Sequence, residues 1–524
     1  MIRYLNRAGK ALLLFVCLLP FNQSCTNLDE QIFSELTAEN FPTTEEQFIS
    51  ALGATYTSLY GLLNHGGFFS IQEVSSDEIM IPQRGNDWFD GGIWLRTHRH
   101  QFDAVSDGQF NGAWGYLFGG VSNCNRVIEL FTTLVADGKV DQAQAAGFIA
   151  EVRTLRALFY FWLMDTFGNV PIVTSFSSAD PNPPTKSRAE VFAFVEQELN
   201  ESVPQLAKAK DGSTYARMNF YAGKFLQAKL YLNSEVYTGK AEWAKAAAAT
   251  DEIINSGLYS LEADYFKNFN TNNSGSTENI FVVPYDEAQA QGFNLAQMTL
   301  HYSSQASFNL QQQPWNGYCT LQEFYESYSN DDKRKGVSGN QQVRGNFHAG
   351  PQFASDGVTR LIDSGAEPAD PDGQPLTFTP EVNALEPNTL RQAGARVGKY
   401  EFALGATPNL SNDFPVFRYA DALLMKAEAL WRQNPGDAMA LALVNQVRTR
   451  AGVAAFATLT ANDLLAERGR EMFYEGWRRQ DLIRFDKFDD PWAFKPASEA
   501  CKELFPIPFV QLSSNPNLVQ NPCY

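Results

Sequence analysis

Residues 151–173 read EVRTLRALFYFWLMDTFGNVPIV. The apolar side chains there recur at helical intervals, and the pattern predicts a helix from about Ala145 to Thr166. The same periodicity appears before and after it. It predicts helices at about Trp114–Leu134, Arg188–Val203, Arg217–Glu235, Ala241–Ser256, Tyr419–Arg432, Asp437–Arg450 and Leu464–Phe485. A further helix from about 44 to 63 follows a capping-box spacing of Thr43 and Glu46, with Phe48, Leu52, Tyr56 and Leu59 on one face.

Short connections join several of these helices into pairs. Ala157 with Phe161 and Pro171, Ala222 with Leu226, and Ala427 with Trp431 and Pro435 repeat a spacing similar to that of tetratricopeptide helix pairs. The full period of about 34 residues is not sustained, so stacked helical hairpins are the safer expectation. The fold expected is mainly α: a tetratricopeptide-like helical-hairpin scaffold with a long irregular, loop-rich lobe for ligand binding.

The N-terminus places Arg3, Arg7 and Lys10 before the apolar run Ala11–Phe21, with Cys25 just beyond. That order is a secretory signal, and the run is too short for a membrane span of about 20 residues. Residues 1–24 are expected to be a signal peptide and Cys25 the lipidated first residue of the mature chain, although Asn22 and Gln23 depart from the usual lipobox. The formal net charge of −18 becomes more negative once the basic leader is removed, which argues against nucleic acid as a partner. An acidic body also gains nothing from anionic headgroups, so attachment to a membrane would rest on the lipid at Cys25. Export permits disulfides. Cys501 and Cys523 share the Pro-rich tail and are the pair expected to bond, while Cys124 lies in a helical apolar pattern and reads as a buried thiol.

The expected organisation is one unit over 25–524. Its helical scaffold spans about 44–263 and 416–485, its lobe about 64–112 and 265–415, and its tail 486–524. The lobe segments are rich in Gly, Asn, Gln, Pro and aromatic residues, and long irregular stretches inside a domain are usually functional.

Several stretches together resemble the SusD/RagB family of outer-membrane nutrient-binding lipoproteins over almost the whole mature chain. They are TAENFPTTEEQF, EVSSDEIMIP, DWFDGGIW, NGAWGYLFGGVSNCNRVIE, the helix and exit quoted first, FRYADALLMKAEAL, VNQVRTRAG, ERGREMFYEGWRRQDLIRF and LFPIPFVQLSSNPNLVQNPCY. Relatives commonly end in Gly-Tyr, whereas here Cys523 precedes Tyr524. The resemblance implies a cell-surface, outer-membrane lipoprotein that captures a glycan and passes it to a SusC-like TonB-dependent transporter. Some relatives take peptides, so a peptide ligand remains open beside it, as do a scaffold for surface enzymes and a glycan-active enzyme.

Sugar rings are held by flat apolar faces with polar groups for their hydroxyls. The candidate ligand contacts are therefore Trp88 and Trp94, with Arg84, Asn86 and Asp87 beside them, and Tyr285, Tyr302, Trp315 and Tyr318 in Gln/Asn-rich surroundings. With 40 Phe, 20 Tyr and 9 Trp in the chain, packing inside a loop is the competing reading for each ring. Glu467, Glu471 and Glu475 repeat at four-residue spacing, but Arg468, Arg470, Arg478 and Arg479 lie near enough in sequence to make a structural ion-pair network the better reading. Asp77 and Glu78 are adjacent and point apart, so they also read as structural. His98 and His100 lack a third metal ligand. Glu367, Asp370 and Asp372 cluster in one acidic loop, read as solvated in preference to ion-binding. No phosphate loop, Gly-x-Ser-x-Gly, Cys-x-x-Cys or His-Glu-x-x-His spacing occurs. No catalytic residue, metal or cofactor is expected.

Overall fold

The computed structural model describes residues 44–341, 343–365 and 367–524, so the leader, Cys25 and Thr43 lie outside the described residues. The first helix, Glu45–Tyr56, is capped one residue later than the spacing suggested. Thr44 Oγ1 accepts from Gln47 N at 3.4 Å, and Gln47 Oε1 accepts from Thr44 N at 3.2 Å. Ser187 with Glu190 and Thr460 with Asp463 make the same reciprocal cap on helices Arg188–Ser202 and Ala461–Met472. Each box satisfies donors that a helix start would leave orphaned.

Helices Gly108–Ala136, Gln142–Phe167, Arg188–Ser202, Phe220–Leu232, Trp243–Ile254, Tyr419–Gln433 and Ala438–Ala451 form a row in which each packs on the next. The architecture is mainly α, a tetratricopeptide-like stack of helical hairpins. From Ala150 to Phe167 every side chain except Arg153 is buried, as expected of a helix with neighbours on several sides. A Cβ at Gly120 would stand 2.3 Å from the Phe159 ring, so glycine is what lets the first two helices of the row lie this close.

The lobe leaves the scaffold and returns through one antiparallel ribbon. Asn279–Pro284 pairs with Asp413–Arg418, Phe414 opposite Val283, and helix Tyr419–Gln433 starts directly after the second strand. A shorter pairing of Ile79–Met80 with Cys319–Thr320 ties the first irregular segment to the second. One continuous apolar core runs through scaffold and lobe, from Phe48 to Ile507. The Cys501–Cys523 disulfide closes the tail with its Cα atoms 6.0 Å apart, and Cys124 and Cys319 are buried thiols.

The expected helix Leu464–Phe485 is two helices, Ala461–Met472 and Arg478–Arg484. Tyr474 at φ 55° and Gly476 at φ 79° break it, and the break leaves Glu475 buried. Glu467, Glu471 and Glu475 are indeed structural, but most of their partners come from far along the chain. Arg334 bridges Glu467 (2.8 Å) and Glu471 (2.9 Å), and Arg418 bridges Glu471 and Glu475 (both 2.7 Å). Arg448, Arg450 and Lys399 complete the seam. Of the nearby arginines only Arg470 joins it, pairing with Glu467 at 2.8 Å. Arg468 turns to Asp421 and Asp481, Arg478 to Asp77 and Arg479 to Asp165.

His98 and His100 are core residues. His98 Nε2 lies 2.8 Å from the Ala493 carbonyl, His100 Nε2 lies 2.8 Å from that of Ser75, and the His100 ring stacks on Phe488. Burial pushes the His98 pKa down to about 4.

Candidate functional site

The short pairing of Ile79–Met80 with Cys319–Thr320 sets two loops side by side. Arg84 is the post between them, donating to the carbonyls of Asn316 (3.0 Å), Ala393 (3.0 Å) and Leu390. Beyond it the chain makes a tight excursion in which Trp88 (φ 62°), Asp90 (φ 43°), Gly91 (φ 65°) and Gly92 (φ 81°) are left-handed. The glycines adopt this freely, whereas each non-glycine costs about 1–2 kcal/mol and needs outside support. That support is on hand: Trp88 Nε1 donates to the Trp315 carbonyl at 2.6 Å, and Asp90 Oδ2 accepts from Trp94 Nε1 at 2.8 Å.

The second loop presents Trp315. Its backbone N donates to the Gln297 carbonyl at 2.7 Å, and the next two residues are pinned to Leu300 and Met298. A Cβ at Gly317 would stand 2.6 Å from the Trp88 ring, so the second loop passes directly against it. Tyr302, on a short 3-10 turn, donates its hydroxyl to the Asp87 carboxylate. His65 meets the Trp315 ring edge-on with centroids 5.6 Å apart, and burial holds its pKa below the ordinary imidazole value although Asp90 opposes this. Together Trp88, Tyr302 and Trp315, with His65, Asp87, Asp90, Gln313 and Pro314, line an open cavity of about 550 Å³. Trp315 is 36% exposed, enough to offer a ring face. Such a surface suits a ligand with one apolar side and a rim of hydroxyls.

Not every expected contact is there. Arg84, Trp94, Tyr285 and Tyr318 are between 1% and 3% exposed, which removes them from any direct contact. Trp94 belongs to helix Ile93–His98, which turns its ring into the core. Tyr318 shares a hydroxyl hydrogen bond with Ser70 under the loop, and Tyr285 packs beside Phe293 and Tyr60. Asn86 is exposed, and its backbone N donates to Glu367 at 3.4 Å. Sequence reasoning missed His65, Asp90, Gln313 and Pro314. Asp90 and Gln313 stood in the polar-aromatic stretches already singled out, whereas nothing local to His65 marked it.

The acidic loop closes on an arginine. Asp372 accepts from Arg391 Nη2 at 2.8 Å and Asp370 from Arg391 N at 2.6 Å, while Asp363 bridges Arg391 and His301. It is therefore not the freely solvated loop expected, since two of its three carboxylates already meet Arg391. Another hollow, of about 400 Å³, lies between Glu45, Phe148 and Arg217. There the Arg217 guanidinium is already held by Glu151 (2.8 and 2.6 Å), and the Phe148 ring packs on Phe131 and Phe48. Among the described residues that line it, the one cation is thus already paired.

Residues 403–524 match the SusD family model. Over that C-terminal part the chain is similar to the SusD/RagB family. The chain is similar to the starch-binding protein SusD of Bacteroides thetaiotaomicron: the two are 26% identical over 415 residues, 72% of each. Among solved structures, a SusD superfamily protein from Parabacteroides distasonis superposes with a TM-score of 0.74 at 22% identity, covering 94% of this chain and all of that one. The surface glycan-binding protein A of B. thetaiotaomicron, in complex with laminarihexaose, gives a TM-score of 0.71 at 23% identity over 91% of this chain and all of that one. Among the described residues, no helix is long and apolar enough to cross a membrane.

Proposed function

We propose that this chain is a member of the SusD/RagB family, a surface lipoprotein, anchored through Cys25, that captures a polysaccharide or oligosaccharide without cleaving it and delivers it to a SusC-like TonB-dependent transporter. One observation carries the reading: Trp88, Tyr302 and Trp315, far apart in sequence, converge on one open cavity with carboxylates at hand. The relatives' names, starch-binding and glycan-binding, point the same way. Trp315 and Trp88 present ring faces to the C–H side of a sugar. Asp87, Asp90 and Gln313 receive its hydroxyls, and Asn86 stands at the rim. The acids that most resembled a catalytic column, Glu467, Glu471 and Glu475, are buried in ion pairs and unable to reach a ligand. An open cavity covers little of a sugar, so affinity per site is weak, and repeated engagement along a polymer compensates.

The test is calorimetric titration of the purified protein against a polysaccharide panel that includes starch and laminarin, with products assayed for new reducing ends. Saturable heat with unchanged chain ends supports capture. New reducing ends make the protein an enzyme, and silence across the panel together with heat from a peptide library moves the ligand class to peptides.

A further inference from the structure

Resting on that reading of the cavity, the hydrogen-bonding character of its wall narrows the class of glycan. Trp88 Nε1 is spent on the Trp315 carbonyl, Trp94 Nε1 on Asp90 and the Tyr302 hydroxyl on Asp87. What these groups leave facing the ligand is acceptor capacity, the remaining lone pairs of two carboxylates, and the neutral donors of Gln313 and His65 beside them bring no positive charge to offset it. Among the described residues, no lysine or arginine lines the cavity. The nearby guanidinium groups are turned elsewhere. Arg84 is buried against three carbonyls, Arg96 reaches Asp107 and the Gly91 carbonyl, and Arg391 is held by Asp363 and Asp372. His65 brings no compensating charge at neutral pH, because burial keeps its imidazole in the neutral form. The field of the whole chain, with a formal net charge of −18, has the same sign.

We propose that the Trp88–Trp315 cavity is selective for uncharged glycans and rejects those bearing uronate or sulfate groups, because Asp87 and Asp90 serve hydroxyl donors and repel anions. A neutral sugar supplies hydroxyl hydrogens to both carboxylates while its C–H face lies on Trp315. A carboxylate or sulfate on that sugar supplies only further acceptors and a like charge beside Asp87 and Asp90, a repulsion strongest at low salt. Asp87 and Asp90 are thus specificity residues as well as contacts.

The experiment titrates the protein with starch and laminarin, each as hydroxyethyl and carboxymethyl derivatives at equal substitution, so that bulk is matched and only charge differs. Polygalacturonate and alginate complete the set. The expected result is binding of a hydroxyethyl derivative, at least tenfold weaker binding of its carboxymethyl partner at low salt, and a gap that narrows with added salt. The gap also narrows in Asp87→Asn/Asp90→Asn, which removes the charge and keeps the shape. Equal or tighter binding of the carboxymethyl form overturns the proposal, as does an unchanged gap in the double variant. Binding of polygalacturonate or alginate with silence from both neutral polymers overturns it too, and leaves glycan capture standing. Silence from every glycan of either charge instead defeats the capture reading and this inference with it.

Discussion

The buried seam around helix Ala461–Met472 and the aromatic cavity are both rich in carboxylates, yet they use them in opposite ways. In the seam, Glu467, Glu471 and Glu475 are fully enclosed, and each meets one or more cations between 2.5 and 2.9 Å or closer. Burial alone would raise the Glu467 pKa, but Arg334 and Arg470 hold it down at about 2. In the cavity, Asp87 and Asp90 are exposed and are met from the protein side by a phenol and an indole. A carboxylate enclosed by guanidinium groups organises the fold, and one backed by a neutral donor with its other lone pairs outward is available to a ligand. Spacing along the chain distinguishes neither case; the partners do.

The largest effect expected of any single change is in the seam. Arg418→Met leaves Glu278, Glu471 and Glu475 short of their shared guanidinium and should cost about 3–5 kcal/mol in denaturant unfolding. A loss below about 1 kcal/mol would break the comparison, since the seam would then be no more structural than a surface pair.

A second enclosed site sharpens it. Glu73 and Glu78 lie together in the core, and burial pushes the Glu73 pKa up to about 7. A carboxyl whose folded pKa lies above its unfolded value binds more protons when folded. Its stability contribution is therefore complete below about pH 4.5 and is lost as pH rises through about 7. Burial raises the Glu78 pKa as well, so equilibrium unfolding between those values should show a decline that Glu73→Gln reduces by roughly 3 kcal/mol without removing the part due to Glu78. A decline of the same size in the variant would place its origin elsewhere.

On the cavity side, Trp315→Ala should weaken glycan binding by about 2 kcal/mol, roughly thirtyfold, while stability changes by less than about 0.5 kcal/mol. Tyr318→Phe should do the reverse on a smaller scale. Loss of its hydroxyl partner Ser70 costs about 1 kcal/mol of stability and leaves affinity as it was. A Tyr318→Phe variant with impaired binding would contradict its placement beneath the site.

The scaffold was legible because its helices carry their own period: apolar side chains recur at helical intervals through residues 151–167, and the capping spacing read at Thr43 and Glu46 falls within one residue of the Thr44–Gln47 cap. The break between Met472 and Arg478 was not legible, because the apolar period survives across it while Tyr474 and Gly476 turn the chain. Trp88 and Trp315 could be picked out from their polar loops. Trp94 sat in the same composition, and only the helix that starts after Gly92 decided that its ring faces inward. The seam shows the same limit. Nearness in sequence pointed to Arg468, Arg478 and Arg479, whereas Arg334 and Arg418 reach the acids through the fold of the lobe and its return strand.

The most direct test of the central claim is a crystal structure of the protein with a bound oligosaccharide from the polymer that titrates. The account predicts a sugar ring lying on Trp315 beside Trp88, with hydroxyls hydrogen-bonded to Asp87 or Asp90. An oligosaccharide seated instead in the hollow by Glu45, Phe148 and Arg217, with the Trp88–Trp315 cavity empty, would contradict it.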